Sequence, residues 1–318
     1  MANIYTRVQI VAALEPTAVI AAVEQAFVAY SRGQAVVPLG IELTFEEPPG
    51  DCHIKYGYLK SNDTFVVKIA TGFWQNPSRG LPSSNGVVLV FSRHTGELLS
   101  ILQDEGYLTD IRTAAAGAIA AKYLAPRNIT CIGIVGAGTQ ARFQLDYLRH
   151  VTPCRRVLIW ARSVERALAV KVPGFHVELA HSIAELAGSC QLIVTTTPSP
   201  EPLLHAHYLL PGTHVSAVGA DGGGKQELSP EIFARAAIRV VDSREQCSRY
   251  GDSSVALRQG HVRMEDLIEL GEIISSPGLY RRRSEDITVA DLTGVAVQDI
   301  AVANLVLAGL HALPTVTS

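Results

Sequence analysis

The periodicity of hydrophobic positions changes near residue 110 and separates two segments of the chain. The residues from Pro16 to Ser31 are apolar at helical spacing, with proline in the first turn, and predict a helix. Short alternating or β-rich runs then predict strands at Ile41 to Phe45, Asp51 to Leu59, Thr64 to Thr71, Gly86 to Ser92 and Leu98 to Asp104. The turn sequences EEPPGD, KSND and RHTG separate some of these strands, so we expect a mostly antiparallel sheet.

The second segment begins with an alanine-rich helix, predicted from Thr109 to Leu124 with Thr109 or Asp110 as its N-cap. Strands and helices then alternate. The predicted strands are Cys131 to Val135, Arg156 to Trp160, Leu192 to Thr196, His214 to Val218 and Arg239 to Val241. The predicted helices are Gln140 to His150, Ser163 to Val172 and Ile183 to Ala187. This alternation is typical of an α/β domain with a parallel sheet and right-handed crossovers.

A last predicted helix, Val297 to Leu310, follows the alternating unit, and we expect it to return to the first segment. We therefore predict one domain at residues 1–112 with 298–318, and a second domain at residues 113–297.

The composition excludes some classes of partner. The 318 residues are 47% hydrophobic, enough for two cores, and the net charge of −3 gives no general attraction to nucleic acid or an anionic membrane. No apolar run is long enough to span a bilayer. Five scattered cysteines without a C-x-x-C pair favour reduced thiols in a cytoplasmic protein. His205 and His207 form an isolated H-x-H, so we predict no metal site.

The sequence GIVGAGTQA contains the form G-x-G-x-x-A between a predicted strand and a predicted helix. Gly136 allows the tight turn, Gly138 lets the backbone approach a pyrophosphate, and Ala141 keeps the helix close to the strand. Thr139 and Gln140 complete the turn at the helix N-terminus, which faces the phosphates. This context predicts dinucleotide binding; the alternative is a glycine turn without a ligand.

The next predicted strand ends in LIWARS, where NAD-binding units usually carry an acid for the ribose 2′-hydroxyl. Here Arg162 and Ser163 occupy that place, and both could contact a 2′-phosphate. The cofactor predicted is therefore NADP, with NAD possible if Arg162 is an ordinary solvated residue.

Five stretches together resemble the ornithine cyclodeaminase and mu-crystallin family, in the order of that family and over most of the chain. They are VVKIATGF, LTDIRTAAAGAIAAKYLA, GAGTQA, VGADGGGKQEL and LTGVAVQDIAVA. The resemblance implies a Rossmann-type dinucleotide-binding domain plus an α+β domain for substrate binding and dimerisation. It also implies a homodimer, and hydride transfer between nicotinamide and the α-carbon of a small amino or imino acid.

The resemblance also implies roles for individual residues. Lys68 and Arg112 would hold the substrate carboxylate, Lys68 could also take part in proton transfer, and Asp221 would be the acid or base. The implied contacts to the cofactor are Ser83, Thr113, Thr197, Gly294 and Val295. Each role has a plainer alternative: Arg112 could be a solvated helix residue and Asp221 a turn residue. Lys68 lies in an apolar strand, where an unpaired charge is costly, which favours a paired or functional role.

The chain departs from the family near the first strands. VPLGIEL has Gly40 where an arginine is common, and HIKYGYL replaces a stretch that often contains Met-Pro. Lys55 could supply the missing cation if its strand lies beside the one that carries Lys68, or it could be a solvated residue on an edge strand. Glu42 is a candidate for binding a cationic substrate tail, as in arginine; the other acids nearby, Glu46, Glu47 and Asp51, are candidates too, although a solvated EEPPGD turn is favoured for the first two. His53 is expected to be structural.

Three functions follow. The first is an NADP-dependent amino-acid dehydrogenase or reductase of imines such as pyrroline-2-carboxylate. The second is a cyclodeaminase that keeps its NAD bound, and the third is a non-catalytic, crystallin-like binding protein. Arg162 favours the first, because a closed hydride cycle has no need for the cellular NADPH pool.

Overall fold

Alternating strands of the first segment form one mixed sheet. The computed structural model describes residues 2–312, with side chains as far as residue 310. The first elements are β1 (Asn3–Thr6), α1 (Arg7–Ala12), α2 (Pro16–Ser31), β2 (Ala35–Val36), β3 (Ile41–Phe45), β4 (Gly50–Leu59), β5 (Thr64–Phe73), β6 (Ser84–Ser92) and β7 (Leu98–Gln103). The strand order is β1-β7-β6-β5-β4-β2, and β3 also pairs with β4. Every pair is antiparallel except β1 with β7, which confirms the predicted sheet.

The second segment forms a fully parallel sheet. Its elements are α3 (Tyr107–Leu124), β8 (Ile132–Val135), α4 (Thr139–Leu148), β9 (Arg156–Trp160), α5 (Val164–Leu168), β10 (His176–Leu179), α6 (Ile183–Ala187), β11 (Leu192–Thr195), β12 (His214–Ala217), α7 (Glu231–Arg235), β13 (Ile238–Val241), α8 (Arg244–Cys247), α9 (Gly251–Arg258), β14 (Ile268–Glu269), α10 (Leu270–Ser275) and β15 (Thr288–Asp291). The strand order is β10-β9-β8-β11-β12-β15-β13-β14. The first five strands have the 3-2-1-4-5 order of dinucleotide-binding sheets.

The chain divides into two compact units at Arg112/Thr113 and at Gly294/Val295. The last helix, α11 (Ala296–Ala312), belongs to the first unit and packs on α2, β4 and β5. The second boundary lies three residues before the predicted one, because α11 begins at Ala296 and packs as a single element. Strands β8, β11, β12 and β15 are buried on both faces, as parallel strands covered by helices are.

The start of α3 differs from the prediction. The helix begins at Tyr107, so Thr109 and Asp110 lie inside it. The N-terminal turn is instead capped by Asp104, whose Oδ2 accepts a hydrogen bond from Leu108 N at 2.8 Å. Glu105 (φ 55°) and Gly106 (φ 86°) both adopt left-handed backbone, which turns the chain from β7 into the helix. Arg112 is thereby placed in the second turn of α3.

The helix predicted from Ser163 to Val172 is shorter than predicted: it ends at Leu168. Pro173 and Gly174 then lead into strand β10. Strands β10 and β15 were missed, although each is as long as β8, β11 and β12, which were predicted. None of the described helices is long and apolar enough to cross a membrane. The five cysteines are free thiols.

Candidate active site

The turn after β8 has the geometry that a dinucleotide requires. Gly136 has φ +118°, and a Cβ added there would lie 2.4 Å from Thr196 Oγ1. A Cβ at Gly138 would meet nothing within 4 Å, so the backbone faces open space where α4 begins at Thr139. Ala141 is fully buried. The N–H groups at the start of α4, with no side chain in front of Gly138, fit a pyrophosphate.

The end of β9 carries no acid. Arg162 is exposed, and it makes no ion pair with any residue that the structure describes. Ser163 is the N-cap of α5, and its Oγ accepts a hydrogen bond from Arg166 N at 3.2 Å. One lone pair of the hydroxyl is therefore used by the cap, while its hydrogen stays available to a ligand oxygen.

The ends of β11 and β12 are joined by a carboxylate that the sequence analysis missed. Glu227 is fully buried and accepts four hydrogen bonds. The donors are Thr197 N (2.5 Å), Thr197 Oγ1 (2.8 Å), Thr195 Oγ1 (2.8 Å) and Gly219 N (2.8 Å). Burial raises the pKa of Glu227 to about 7, against these hydrogen bonds. The sequence offered one signal for this role: Glu227 is a polar residue in the glycine-rich stretch that also carries Asp221.

Asp221 follows β12 and forms an ion pair with Lys225. Lys225 Nζ donates to Asp221 Oδ1 at 2.8 Å, and 40% of the Asp221 side chain is exposed. The carboxylate is thus held in a glycine loop and is partly open to solvent.

In the first unit, Lys68 and Arg112 share one carboxylate. Asp299 Oδ1 lies 3.1 Å from Lys68 Nζ and 3.4 Å from Arg112 Nε. All three side chains are almost fully buried. Arg112 Nη1 also donates to Gln298 Oε1 at 3.3 Å, so two consecutive residues of α11 hold the guanidinium.

Lys68 is held in an unusual electrostatic state. Burial lowers its pKa to about 7, and the charges of Arg112 and Lys55 lower it as well, while Asp299 works in the opposite direction. Lys55 is the antiparallel partner of Lys68 in the β4–β5 register, so both side chains lie on the same face of the sheet. The two lysines therefore lie on neighbouring strands, which was the condition for Lys55 to supply the missing cation, and Lys55 is buried rather than solvated.

Hydrogen bonding in this cluster is incomplete on both sides, because Asp299 Oδ1 and Oδ2 are themselves buried without a well-formed hydrogen bond to any described residue. Arg112 Nε and Gln298 Nε2 are buried and have no acceptor in good geometry among the described residues. One carboxylate serves two cations, and buried donors of this kind are normally satisfied. The arrangement fits a second anion, such as the carboxylate of a small molecule.

Further along the same sheet face lie Glu42, Asp51 and His53. Glu42 pairs with His53 across β3 and β4, and His53 Nε2 lies 3.3 Å from Asp51 Oδ2. One oxygen or nitrogen atom of each of these three side chains lies within 4.8 Å of the corresponding atoms of the other two. Asp51 is part of β4 and is 6% exposed. Gly72 lies opposite it, and a Cβ added to Gly72 would lie only 2.6 Å from Asp51 Oδ1. Asp51 is therefore buried, whereas Glu46 and Glu47 are exposed in the turn.

The remaining predicted cofactor contacts are scattered. Ser83 precedes β6, and its carbonyl accepts from Phe73 N at 2.7 Å. Gln144 Nε2 donates to Thr113 O at 3.1 Å, and to Gln140 Oε1 at 3.4 Å. Gly294 N already donates to Asp242 Oδ2 at 2.6 Å, so this N–H is not open to a ligand. Val295 is buried at the start of α11 and belongs to the first unit.

Known proteins resemble the chain over nearly its whole length. The family model described as the ornithine cyclodeaminase/mu-crystallin family matches residues 2–312. An uncharacterised cyclodeaminase of Sinorhizobium fredii is 41% identical over 292 residues, which cover 89% of this chain and 87% of that protein.

Two solved structures carry a nicotinamide cofactor. An archaeal alanine dehydrogenase dimer with bound NAD is 36% identical, with a TM-score of 0.86 over 97% of this chain and 95% of that one. The Δ1-pyrroline-2-carboxylate reductase of Thermococcus litoralis, in complex with NADH and L-proline, is 27% identical, with a TM-score of 0.89 over 96% of this chain and 97% of that one. The chain belongs to the ornithine cyclodeaminase/mu-crystallin family and is an NAD(P)-dependent oxidoreductase.

Proposed function

We propose that the chain catalyses NADP(H)-dependent hydride transfer at the α-carbon of an amino or imino acid. The observation that carries the proposal is the buried pair of cations, Lys68 and Arg112, which share the single carboxylate of Asp299. A substrate carboxylate supplies the missing negative charge. Arg112 offers a planar fork of donors and Lys68 a point charge.

The nicotinamide, when bound, supplies or accepts the hydride. The proton is handled by the chain. Lys68, with a pKa of about 7, can gain or lose a proton at neutral pH, and so it suits the protonation change between an imine and an amine. Asp221 is the second candidate for this role, because its carboxylate is accessible and fixed by Lys225.

The preference for NADP is supported by the exposed Arg162 and by the absence of an acid in LIWARS. A 2′-phosphate would find one guanidinium and the Ser163 hydroxyl hydrogen there. The glycine turn holds the pyrophosphate through backbone N–H groups of Gly138 and Thr139, and Gln140 and Ala141 complete that first turn.

The substrate is expected to be small, such as a cyclic imine or a 2-oxo acid condensed with an amine. A longer cationic tail, as in arginine, could be received by the acids of the cluster Glu42, Asp51 and His53 on the same sheet face. The named cyclodeaminase relative favours a second candidate, ammonia release from a diamino acid with NAD that returns its hydride.

A homodimer is proposed from the outer face of β3 and the neighbouring edge. Three alternate side chains of this short strand are exposed although apolar: Ile41 by 57%, Leu43 by 55% and Phe45 by 39%. An exposed apolar row on an edge strand invites pairing with another chain.

The proposal is tested by incubating the protein with NADPH or NADH and a panel of cyclic imines and 2-oxo acids, the latter with ammonia or an alkylamine, and following cofactor oxidation. NADPH oxidation with at least one compound is expected. An Arg112→Met variant should lose on the order of 10–100-fold in kcat/KM through the lost charged hydrogen bonds. No oxidation with any compound, together with ammonia release from ornithine in the presence of catalytic NAD, would replace the proposal with the cyclodeaminase.

A further inference from the structure

Glu227 connects two loops that are far apart in the sequence. Its Oε1 accepts from the backbone and hydroxyl of Thr197, just after β11, and its Oε2 accepts from Thr195 Oγ1 and from Gly219 N, just after β12. Asp221 lies two residues beyond Gly219. One side chain therefore fixes both the loop with a predicted cofactor contact and the loop with the predicted acid or base.

The packing around this connection is too tight for substitution. A Cβ at Gly219 would lie 2.2 Å from Thr197 O, 2.4 Å from Thr197 N and 2.8 Å from Glu227 Cδ. The two loops thus touch backbone to backbone, with the carboxylate as their common hydrogen-bond acceptor. Any change in the position of Glu227 must move at least one of them.

The segment that carries Glu227 is itself anchored. Glu227 N and Leu228 N both donate to Asp252 Oδ1 at 2.7 Å, and Glu227 O accepts from Leu203 N and Leu204 N. Asp252 is the second residue of helix α9 and is fully buried. Asp291 at the end of β15 is also buried, and its Oδ2 accepts a hydrogen bond from Ser253 N at 2.8 Å. The backbone of Glu227 is therefore fixed by its neighbours, and its carboxylate connects this fixed backbone to the two loops.

Only the ionised form of Glu227 can accept all four of these hydrogen bonds. Two of the donors are backbone N–H groups, which cannot act as acceptors. A protonated carboxyl could donate to one of the two threonine hydroxyls, which can rotate to accept, but it would then lose that hydroxyl as a donor. Burial of Glu227 itself opposes ionisation, and the hydrogen bonds from Thr195, Thr197 and Gly219 favour it.

We propose that Glu227 is a positioning residue for this enzyme, whose charged carboxylate keeps the Thr197 loop and the Asp221 loop in their working arrangement. The inference rests on the proposed function for the roles of Thr197 and Asp221. The position of the loops themselves can be tested without a substrate.

The test compares Glu227→Gln, Glu227→Asp and His214→Gln in the full chain. Gln has the same shape as Glu, but its amide N–H₂ group would face two of the four hydrogen-bond donors in place of a carboxylate oxygen. Asp keeps the charge on a shorter arm. His214 is a matched control, because it is fully buried at the opposite end of β12 and bonded to Thr288 and Ser216. Its variant reports the effect of losing a buried polar side chain from the same unit.

Three measurements are made: amide hydrogen exchange at residues 195–199 and 219–225 in the cofactor-free protein, the Kd for NADPH by fluorescence, and kcat and KM over pH. For Glu227→Gln we expect faster exchange in these two loops, a Kd at least several-fold higher, a kcat lower by on the order of 10–100-fold, and a displaced pH profile. Glu227→Asp should recover part of each effect, and His214→Gln should lower Tm without changing the two loops or the pH profile.

The inference is overturned if Glu227→Gln changes only Tm, as His214→Gln does. If Glu227→Gln does not fold, the test rests on Glu227→Asp. Hydrogen exchange, a Kd and a pH profile like those of the wild type in Glu227→Asp would then overturn the inference. Failure of the proposed function looks different, since the wild-type protein would then be inactive with the whole panel while exchange and NADPH affinity still respond to Glu227.

Discussion

Lys68 Nζ lies 3.1 Å from Asp299 Oδ1, and this ion pair is almost completely buried. Removing one partner of such a pair leaves the other charge in a poorly solvating environment, which costs more than the pair itself gains. Asp299→Leu should therefore destabilise the first unit by about 3–5 kcal/mol in urea unfolding. The double variant Lys68→Met/Asp299→Leu should be more stable than Asp299→Leu alone. Equal stability of the single and double variants would show that the pair is not coupled.

The lowered pKa of Lys68 predicts how stability depends on pH. The unfolded lysine titrates near 10.5 and the folded one at about 7, so between these values the unfolded state binds more protons. Stability should therefore rise with pH from about 7 to 10.5, and the contribution of Lys68 is at most about 5 kcal/mol. Unfolding free energies of the wild type and Lys68→Met across this range measure it. A slope that is unchanged in Lys68→Met would contradict the lowered pKa.

Asp299 also predicts a change in the pH–rate profile. Its charge raises the pKa of Lys68, so Asp299→Asn should lower that pKa further. In the direction of reduction, kcat/KM should fall as pH rises through the pKa of Lys68, and in Asp299→Asn this fall should begin about one unit lower. Initial rates between pH 5 and 9 give the comparison, with Glu105→Gln as an exposed control in the same unit. The same profile in wild type and Asp299→Asn would mean that another group titrates.

Arg162 is expected to select the cofactor. Arg162→Asp should lower kcat/KM for NADPH by about 10–100-fold and improve the relative use of NADH, because the new acid repels a 2′-phosphate and can bond a ribose hydroxyl. Arg127→Asp provides the same change of charge at an exposed position that precedes β8. The ratio of kcat/KM for the two cofactors is the measurement. Equal ratios in the Arg162 and Arg127 variants would remove Arg162 from the cofactor site.

The exposed face of β3 predicts the oligomeric state. Leu43→Lys should convert a dimer into monomers, because it places a charge in the middle of an apolar row. Leu279→Lys is the control, since Leu279 is 78% exposed and lies in the second unit. Light scattering after size-exclusion chromatography distinguishes the outcomes. A Leu43→Lys protein with the wild-type mass would place any interface elsewhere.

Periodicity and the glycine turn were sufficient to predict the central strands of both sheets and the dinucleotide-binding arrangement, because these depend on spacing within short segments. Asp299 could not be found in this way, since its partners come from β5 and α3 and meet only in the folded unit. A signal was nevertheless present: an acid within the apolar sequence VAVQDIAVA must have a partner if the helix is buried.

Short-range capping explains other differences. Asp104 precedes its helix by three residues, and a turn with two left-handed residues was needed to bring it to the cap. In the sequence, Glu227 is one of several polar residues in a glycine-rich loop. Its role becomes visible only in the folded unit, where the ends of β11 and β12 lie next to each other. The roles of Ser83 and Gly294 stay predictions based on family resemblance.

The cap of α5 has a consequence for how cofactor choice could change. Ser and Asp are about equally good N-caps, so helix stability is indifferent to which of them stands at position 163. Only the ligand distinguishes them, because a carboxylate there would repel a 2′-phosphate. A change of cofactor at this site would therefore leave no trace in the thermal stability of the protein, and only measurements with both cofactors would reveal it.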